Sequence, residues 1–320
     1  MRYLIKLTPL KPFFFGGDTT FGKLGDKDKG TYLVKSRLFP QQTAILGMIR
    51  KEMLIQKEFL TTKVRGEWID KKLKDEAKEF IGDSKFEFDT KQDFGVLKDI
   101  SPIFLLRGKR KFIKKVDIDT FQYSDGLLKG YNPKKDIYDT FISTDNCKLL
   151  KSSAIFRAIE EIGNSKFDDE NSLFKKTSYT LKHNFKFAFF IESDFELKDA
   201  FITLGGEKST FKMEVTQTND SLEYKDKNGY LTLLSDAYLD IDIKEESCDF
   251  AITSEISFNY LQNKFEDEKR VFKKAKQTLF LYEKGSIFIN PKDKLLKNLN
   301  NPNLQKIGLN KYSYKKGATK

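Results

Sequence analysis

The sequence predicts an α+β fold built as two domains. Its 320 residues exceed the roughly 250–300 residues at which a single hydrophobic core stops growing. Hydrophobic residues make up 39% of the chain, including 30 phenylalanines, which excludes an intrinsically disordered polymer. β-prone runs dominate and only a few segments show helical periodicity. A polar stretch after residue 217 divides the chain into residues 1–217 and a smaller domain, residues 218–320.

The first domain opens with a predicted strand followed by a predicted helix. Residues 2–8 alternate polar and apolar side chains, as a half-buried strand does. A helix is expected from Gln41 to about Gln56, after Pro40, because its apolar residues recur at helical spacing. Residues 68–81 predict a second, charged helix, which we interpret as an insertion.

The rest of this domain is predicted to be mainly strands. Residues 95–116 indicate a hairpin that turns near Gly108. We expect long loops over residues 117–150, a short helix over 151–162, a strand over 178–193 and another over 211–215. The order strand, helix, two strands, helix, strand is compatible with a β-α-β-β-α-β, ferredoxin-like unit carrying insertions.

The second domain is predicted to be a small α+β unit. Its strand-like runs cover residues 230–239, 250–260, 276–282 and 285–289, and a short helix follows at 292–299.

The charge balance favours a polyanionic partner. Lys and Arg number 58 against 47 Asp and Glu, a net charge of +11, although a lysine-rich chain also arises from an AT-rich genome. The chain has no run of 18 apolar residues, so we expect no membrane contact. Cys147 and Cys248 are far apart, as expected for reduced thiols of a cytoplasmic protein.

Residues for catalysis are scarce. His183 is the single histidine and falls on the predicted strand 178–193. Common zinc sites need several His or Cys ligands, and the sequence motifs of serine hydrolases, P-loop enzymes and zinc proteases are absent. We therefore expect neither a metal nor a cofactor, and we expect that the protein is not an enzyme.

The glycine-rich turn Leu204–Ser209 is the first candidate binding site. Gly205 and Gly206 allow positive φ and close approach of another molecule. Successive N–H groups of such a turn suit an anion, and Lys208 and Ser209 add a cation and a hydroxyl. A plain tight connection between two strands is the alternative.

The second candidate site is the start of the first predicted helix, whose free N–H groups favour phosphate. An ordinary capped helix remains the alternative. Its candidate RNA-binding residues are Lys35, Ser36, Arg37, Gln42 and Thr43, with Arg50 further along the helix.

The third candidate site is the basic hairpin. Six cations and no acid lie between Leu105 and Val116, with Phe104 and Phe112 beside them, a mixture that could bind phosphates and stack a base. A merely solvated hairpin is the alternative, and the basic tail Lys311–Lys320 is expected to be a loose end. The cations of the hairpin are Arg107, Lys109, Arg110, Lys111, Lys114 and Lys115.

Four sequence runs together resemble the RAMP superfamily of CRISPR-associated proteins. In order they are LTPLKPFFFGGDTTFG, KSRLFPQQTAILGMIRKEML, LFKKTSYTLKHNFKFAFFIE and ITLGGEKSTFKM, and LLSDAYL and LYEKGSIF add weaker similarity in the second domain. Within the superfamily, the chain is most similar to the class that forms the third subunit of the type III-B, or Cmr, effector complex.

The resemblance implies two ferredoxin-like, RRM-like domains and a non-catalytic role in antiviral defence. Such subunits grip the 5′ handle of the CRISPR RNA and dock to the large polymerase-like subunit and to the first backbone RAMP subunit. By position, the family's glycine-rich loop corresponds to Gly205–Ser209, and its first-helix region to Lys35 through Arg50. Many RAMP nucleases place a catalytic histidine near this helix, and the chain has none there.

Three alternatives stay open. The first is a RAMP endoribonuclease that processes precursor CRISPR RNA, with His183 as general acid or base. The second is a structural subunit whose basic surface packs on acidic partners. The third is the homologous handle-binding subunit of a type III-A complex.

Overall fold

The computed structural model is a mixed α/β fold with mostly antiparallel sheets and few helices. It describes residues 1–315 apart from 18, 23–30, 62–66, 84, 89, 119, 125, 133, 165–172, 207–208, 259–260, 267–268 and 275–278. Over these residues no helix is long and apolar enough to cross a bilayer.

The elements are numbered in chain order. The strands are β1 (Arg2–Pro9), β2 (Thr19–Gly22), β3 (Thr31–Lys35), β4 (Leu97–Ile100), β5 (Phe104–Arg107), β6 (Arg110–Lys114), β7 (Gln122–Ser124), β8 (Leu127–Lys129), β9 (Thr140–Ser143), β10 (Leu149–Lys151), β11 (Phe156–Asn164), β12 (Leu173–Leu181), β13 (Lys186–Ser193), β14 (Ala200–Thr203), β15 (Thr210–Gln217), β16 (Leu231–Leu233), β17 (Phe250–Ile252), β18 (Glu255–Phe258), β19 (Leu261–Glu266), β20 (Lys269–Lys274), β21 (Leu279–Tyr282), β22 (Ile287–Ile289) and β23 (Tyr312–Ser313). The helices are α1 (Gln42–Gln56), α2 (Lys74–Ile81), α3 (Asp293–Leu299) and α4 (Pro302–Lys306).

Contacts divide the chain into two compact units, and neither is one continuous stretch of sequence. The first unit comprises residues 1–113, 141–224 and 302–308, and the second comprises 114–140, 225–301 and 309–320. The domain limits 1–217 and 218–320 stay a prediction, because contact units and folding domains are different divisions of a chain.

The sheet at the centre of the first unit positions the candidate sites. Its strands follow the order β10-β9-β6-β5-β13-β1-β15-β14, and β4 also pairs with β13. The central pairs are antiparallel, with Leu7 opposite Phe187 and also opposite Met213. Odd-numbered residues of β1 face the core, where Ile5 and Leu7 are fully buried, as period-two alternation requires.

Helix α1 confirms the first helical prediction. Its buried side carries Ile45, Ile49 and Met53, none of which is exposed, so the 3.6-residue periodicity marked the core side correctly. The second predicted helix begins later than residue 68. A 3-10 turn at Lys71–Leu73, capped by the Asp70 carboxylate, precedes α2.

Two predictions for the middle of the chain are wrong. Residues 151–162 are mainly strand β11, because β11 pairs with β12 from Phe156–Leu181 through Asn164–Leu173, and such non-local pairing overrides local preference. The supposed long loops over 117–150 contain β7 to β10. Strand β9 joins the large sheet beside β6, where Phe141 is fully buried.

The predicted strand 178–193 is two strands joined by a tight turn. His183 and Asn184 have φ of 52° and 60°, the positive values of a type I′ turn at both central positions, and Phe185 N donates to the Lys182 carbonyl across it at 3.1 Å. The turn leads the chain from one sheet into another, since β12 and β13 do not pair. His183 is therefore exposed at a turn rather than lying on a strand. Strand β14 was not predicted, and it makes the glycine-rich turn the tip of the β14–β15 hairpin.

The second unit is built on the small sheet β17-β22-β16-β23. Helix α3 is confirmed, and its Leu295 and Leu299 pack with Leu231 and Phe288 of the sheet in one buried cluster. The predicted strands 230–239 and 285–289 are present but shorter, and the run 250–260 is broken into β17 and β18. The run 276–282 contains β21, and its first part, 276–278, lies outside the described residues, as do 259–260. The β19–β20 hairpin was not predicted.

Candidate nucleic-acid interface

The basic hairpin β5–β6 borders an open depression on the first unit. A two-residue turn joins its strands, and Gly108, with φ of 60°, takes the first position, where a tight hairpin turn often requires glycine. The depression has a volume of about 700 Å³. Its lining residues are Arg107, Lys109, Arg110, Lys111, Phe112, Thr144, Asp145, Lys148 and Asp220.

Positive charge exceeds negative charge in this depression. Two of its five cations are paired with its two carboxylates, since Arg110 lies 3.3 Å from Asp145 and Lys111 lies 2.6 Å from Asp220. For the three remaining cations, the described residues provide no carboxylate within 4.0 Å. An excess of uncompensated cations around a concave surface attracts phosphate groups. The three cations without such a carboxylate partner are Arg107, Lys109 and Lys148.

Some hairpin side chains are held by contacts within the fold, and others are exposed. Lys111 is held within the fold, because its Nζ donates to the Ser221 carbonyl oxygen at 2.5 Å and lies 5.2 Å from the centre of the Phe190 ring. Arg107 is exposed and lies over the ring of Phe185, 5.5 Å from its centre. This contact holds its guanidinium at the rim of the depression.

Base stacking by Phe104 or Phe112 is not possible in this fold. Each ring is only 1% exposed, so the expectation that they stack a base is wrong. Both belong to the sheet core, with Phe104 against Phe190 and Phe112 against Phe185.

Two other cations of the hairpin form ion pairs within the second unit: Lys114 with Glu283 and Lys115 with Asp226.

The glycine-rich turn and the helix-start region meet at the loop Phe13–Gly17. Ser209 Oγ accepts a hydrogen bond from Phe14 N at 3.1 Å, and Ser36 Oγ accepts one from Phe15 N at 2.9 Å. Arg37 N donates to the Gly16 carbonyl at 2.8 Å. These two candidate sites thus lie on either side of the chain's own loop, which contacts both of them.

Both glycines of the turn lie close to Phe14. Gly205 has φ of 88°, and a Cβ there would lie 2.5 Å from the Phe14 carbonyl oxygen. Gly206 N donates to that same oxygen at 2.7 Å, and a Cβ on Gly206 would lie 2.9 Å from the Phe14 ring. These contacts explain the glycines within the fold itself. Lys208 lies outside the described residues.

Two further predicted RNA contacts are buried. Gln42 is 4% exposed, and its Nε2 donates to the Ser101 carbonyl at 2.8 Å. Arg50 is 6% exposed, with its guanidinium over the Phe94 ring, and burial lowers its pKa to about 10. Lys35 is exposed, and Thr43 is partly exposed in the first turn of α1.

No group of three His, Cys, Asp or Glu side chains that could hold a metal ion occurs within the described ranges. His183 is exposed, Cys147 is exposed and Cys248 is buried. Burial raises the pKa of the Cys248 thiol to about 11.

Four residues of the depression were missed by sequence reasoning. Thr144, Asp145 and Lys148 come from the β9–β10 turn, which the sequence assigned to loops, and Asp220 follows β15. No local signal marks them, since only the pairing of β9 with β6 brings this turn beside the hairpin.

The chain shares its fold with solved chains of the type III-B Cmr-beta complex. One, from a cryo-electron microscopy structure bound to cognate target RNA, matches with a TM-score of 0.56 and 16% identity over 98% of this chain and 96% of that one. A chain of the same complex with cognate target RNA and AMPPnP matches with a TM-score of 0.50 and the same identity and coverage. No protein-family model and no curated protein sequence matches.

Proposed function

We propose that this protein is a non-catalytic RNA-binding subunit of a type III-B CRISPR effector. It holds the 5′ handle of the CRISPR RNA and docks to the large polymerase-like subunit and the first backbone subunit in antiviral defence. The observation that carries the proposal is the open cationic depression at the β5–β6 hairpin. The fold shared with chains of an RNA-bound type III-B complex supports it.

The topology of the first unit supports a ferredoxin-like assignment. Strand β1, helix α1 and strand β5 come in this chain order, with β13 lying between the two strands in the sheet and β15 flanking β1 on its other side. This strand order supports the split β-α-β arrangement that we propose for the unit. The segment that joins β13 to β15 carries β14 in place of a second helix among the described residues.

The chemistry of the depression suits holding RNA rather than cutting it. Three cations without a carboxylate partner in the described structure provide phosphate contacts, and the Arg107 guanidinium adds a flat surface against which a base can stack. RNA cleavage needs a general acid or base positioned at the 2′-hydroxyl. His183 stands in the β12–β13 turn.

A binding assay tests the proposal. Purified full-length protein is titrated with RNA carrying the 5′ handle of the CRISPR repeat from the same genome, and with RNA of identical composition and scrambled handle. We expect tighter binding of the correct handle. Equal affinity for both RNAs would support a structural subunit and overturn handle recognition.

Cleavage of repeat RNA tests the enzyme alternative. We expect full-length repeat RNA to remain intact after incubation with the protein. Specific cleavage that disappears in His183→Ala would contradict the non-catalytic role and establish an endoribonuclease.

A further inference from the structure

The second face of the large sheet carries a row of side chains that crosses the first unit. Residues that lie directly opposite each other in antiparallel strands point to the same face. Lys111 is opposite Leu106 and Leu106 is opposite Lys186, while Thr8 is opposite Lys212 and Lys212 is opposite Phe201. The alternation of β1 and β13 places Thr8 and Lys186 in the same row.

This face is more open at the β14 edge of the sheet than at the hairpin end. At the hairpin end, Lys111 binds Asp220 and the carbonyl of Ser221, and its side chain is only 14% exposed. Exposure rises to 34% at Lys186 and 48% at Lys212. At the edge strand β14, Phe201 is 73% exposed.

Phe201 does not belong to the hydrophobic core, so core packing does not explain why a phenylalanine occupies this position. On β14 its neighbour Ile202 supplies the buried contact, at 5% exposure. Single exposed hydrophobic side chains are common on protein surfaces, so the lysines around Phe201 are what distinguish it. Its hairpin also ends in the glycine-rich turn Leu204–Ser209.

The charge around Phe201 favours a nucleic acid over a protein partner. Lys212 is its directly opposed neighbour. Glu214 accepts hydrogen bonds from Lys186 and Lys212 and lies opposite Lys6, so three lysines surround one carboxylate. The hydrogen bond from Lys186 lowers the pKa of Glu214. Lysine is depleted in protein interfaces, whereas an aromatic ring beside cations is the usual platform for single-stranded RNA.

We propose that Phe201 stacks an unpaired nucleobase of single-stranded RNA and that Lys212 contacts an adjacent phosphate. This site deepens the proposed function and rests on it, because it requires that the protein bind RNA. It is separate from the depression at the β5–β6 hairpin, with which it shares no lining residue.

The test uses full-length protein and a fluorescein-labelled oligoadenylate of about 12 nucleotides. Phe201→Ala should weaken binding about 5- to 150-fold, the loss typical of removing one stacked base. Phe201→Leu should weaken it similarly, and Phe201→Trp should restore it. The matched control is Phe280→Ala, another exposed phenylalanine on a strand, and it should bind as wild type. An oligonucleotide containing 2-aminopurine should lose fluorescence on binding wild type and Phe201→Trp but not Phe201→Ala.

The outcomes separate this site from the proposed function. Wild-type affinity of Phe201→Ala, together with weakened binding when the cations of the depression are replaced, would overturn the stacking site alone. Failure of the wild-type protein to bind any RNA would overturn both. Unchanged RNA affinity of Phe201→Ala combined with lost incorporation into a reconstituted effector would overturn it in favour of a protein contact.

Discussion

Two serine hydroxyls hold the loop Phe13–Gly17 from opposite sides. Ser36 is 4% exposed and Ser209 is 8% exposed, and each satisfies one backbone N–H of the loop. Their hydroxyls therefore act on the fold, by fixing the loop between the glycine-rich turn and the end of β3.

Ser36→Ala should destabilise the protein by about 1–3 kcal/mol, because it leaves the Phe15 N–H buried without a partner. Urea denaturation measures the change in the free energy of unfolding. Ser153→Ala, at an exposed serine, is the control and should unfold like the wild type. An unchanged midpoint for Ser36→Ala would contradict the assigned hydrogen bond.

The two glycines of the turn should differ in their tolerance of a side chain. Gly205→Ala places a Cβ at positive φ, which costs roughly 1–2 kcal/mol, and it also pushes against a backbone oxygen. Gly206→Ala meets only the edge of the Phe14 ring, which can turn aside, so its cost should stay below about 1 kcal/mol. The same unfolding assay measures both, and equal losses would contradict this distinction.

Only part of the candidate site could be predicted residue by residue. The exposed cations Arg107, Lys109 and Arg110 were found, because a hairpin turn and its charges are adjacent in sequence. Gln42 and Arg50 were taken as RNA contacts from their place in the first helix. Their burial depends on Ser101 and Phe94, which lie far along the chain and leave no local signal.

At the scale of elements, the depression formed by the β5–β6 hairpin and the β9–β10 turn should determine the electrostatic part of RNA binding. Each phosphate neutralised contributes roughly 0.7 to the slope of log affinity against log salt for single strands. Replacing Arg107, Lys109 and Lys148 together by Gln should therefore reduce the magnitude of the slope by about 2. Titrations between about 50 and 200 mM salt measure it.

The control for this variant removes the same charge elsewhere on the first unit. Lys71, Lys74 and Lys78 are exposed on the 3-10 turn and on α2, and their replacement by Gln should leave the slope close to that of the wild type. Equal slopes for both triple variants would show that RNA responds to net charge alone, against a localised site.

Elements with local signals were predicted well, and those held by distant pairing were not. The limits of α1 differ by one residue from the prediction, because its apolar spacing lies within one short segment. Strands β11 and β9 were missed, because β11 depends on β12 and β9 depends on β6. Because β9 was not predicted, Lys148, which follows it, was not predicted to lie in the candidate site.

At the scale of the whole molecule, the net charge of +11 is a poor guide to where RNA binds. Many lysines are paired within the fold, such as Lys115 with Asp226 at 2.7 Å, where both side chains are buried. The cations of the proposed RNA contacts lie on the first unit, in the depression and along the open end of the sheet. Composition predicts a polyanionic partner, and the pattern of ion pairs is the basis for the location that we propose.

The most direct test of the account is ultraviolet crosslinking of the chain to RNA inside an assembled effector, followed by identification of the joined peptides and nucleotides. We expect peptides from residues 104–114 and 200–217 to crosslink to nucleotides of the 5′ handle of the CRISPR RNA. Crosslinks confined to other parts of the RNA, or none from either segment, would contradict the proposal that this subunit holds the handle.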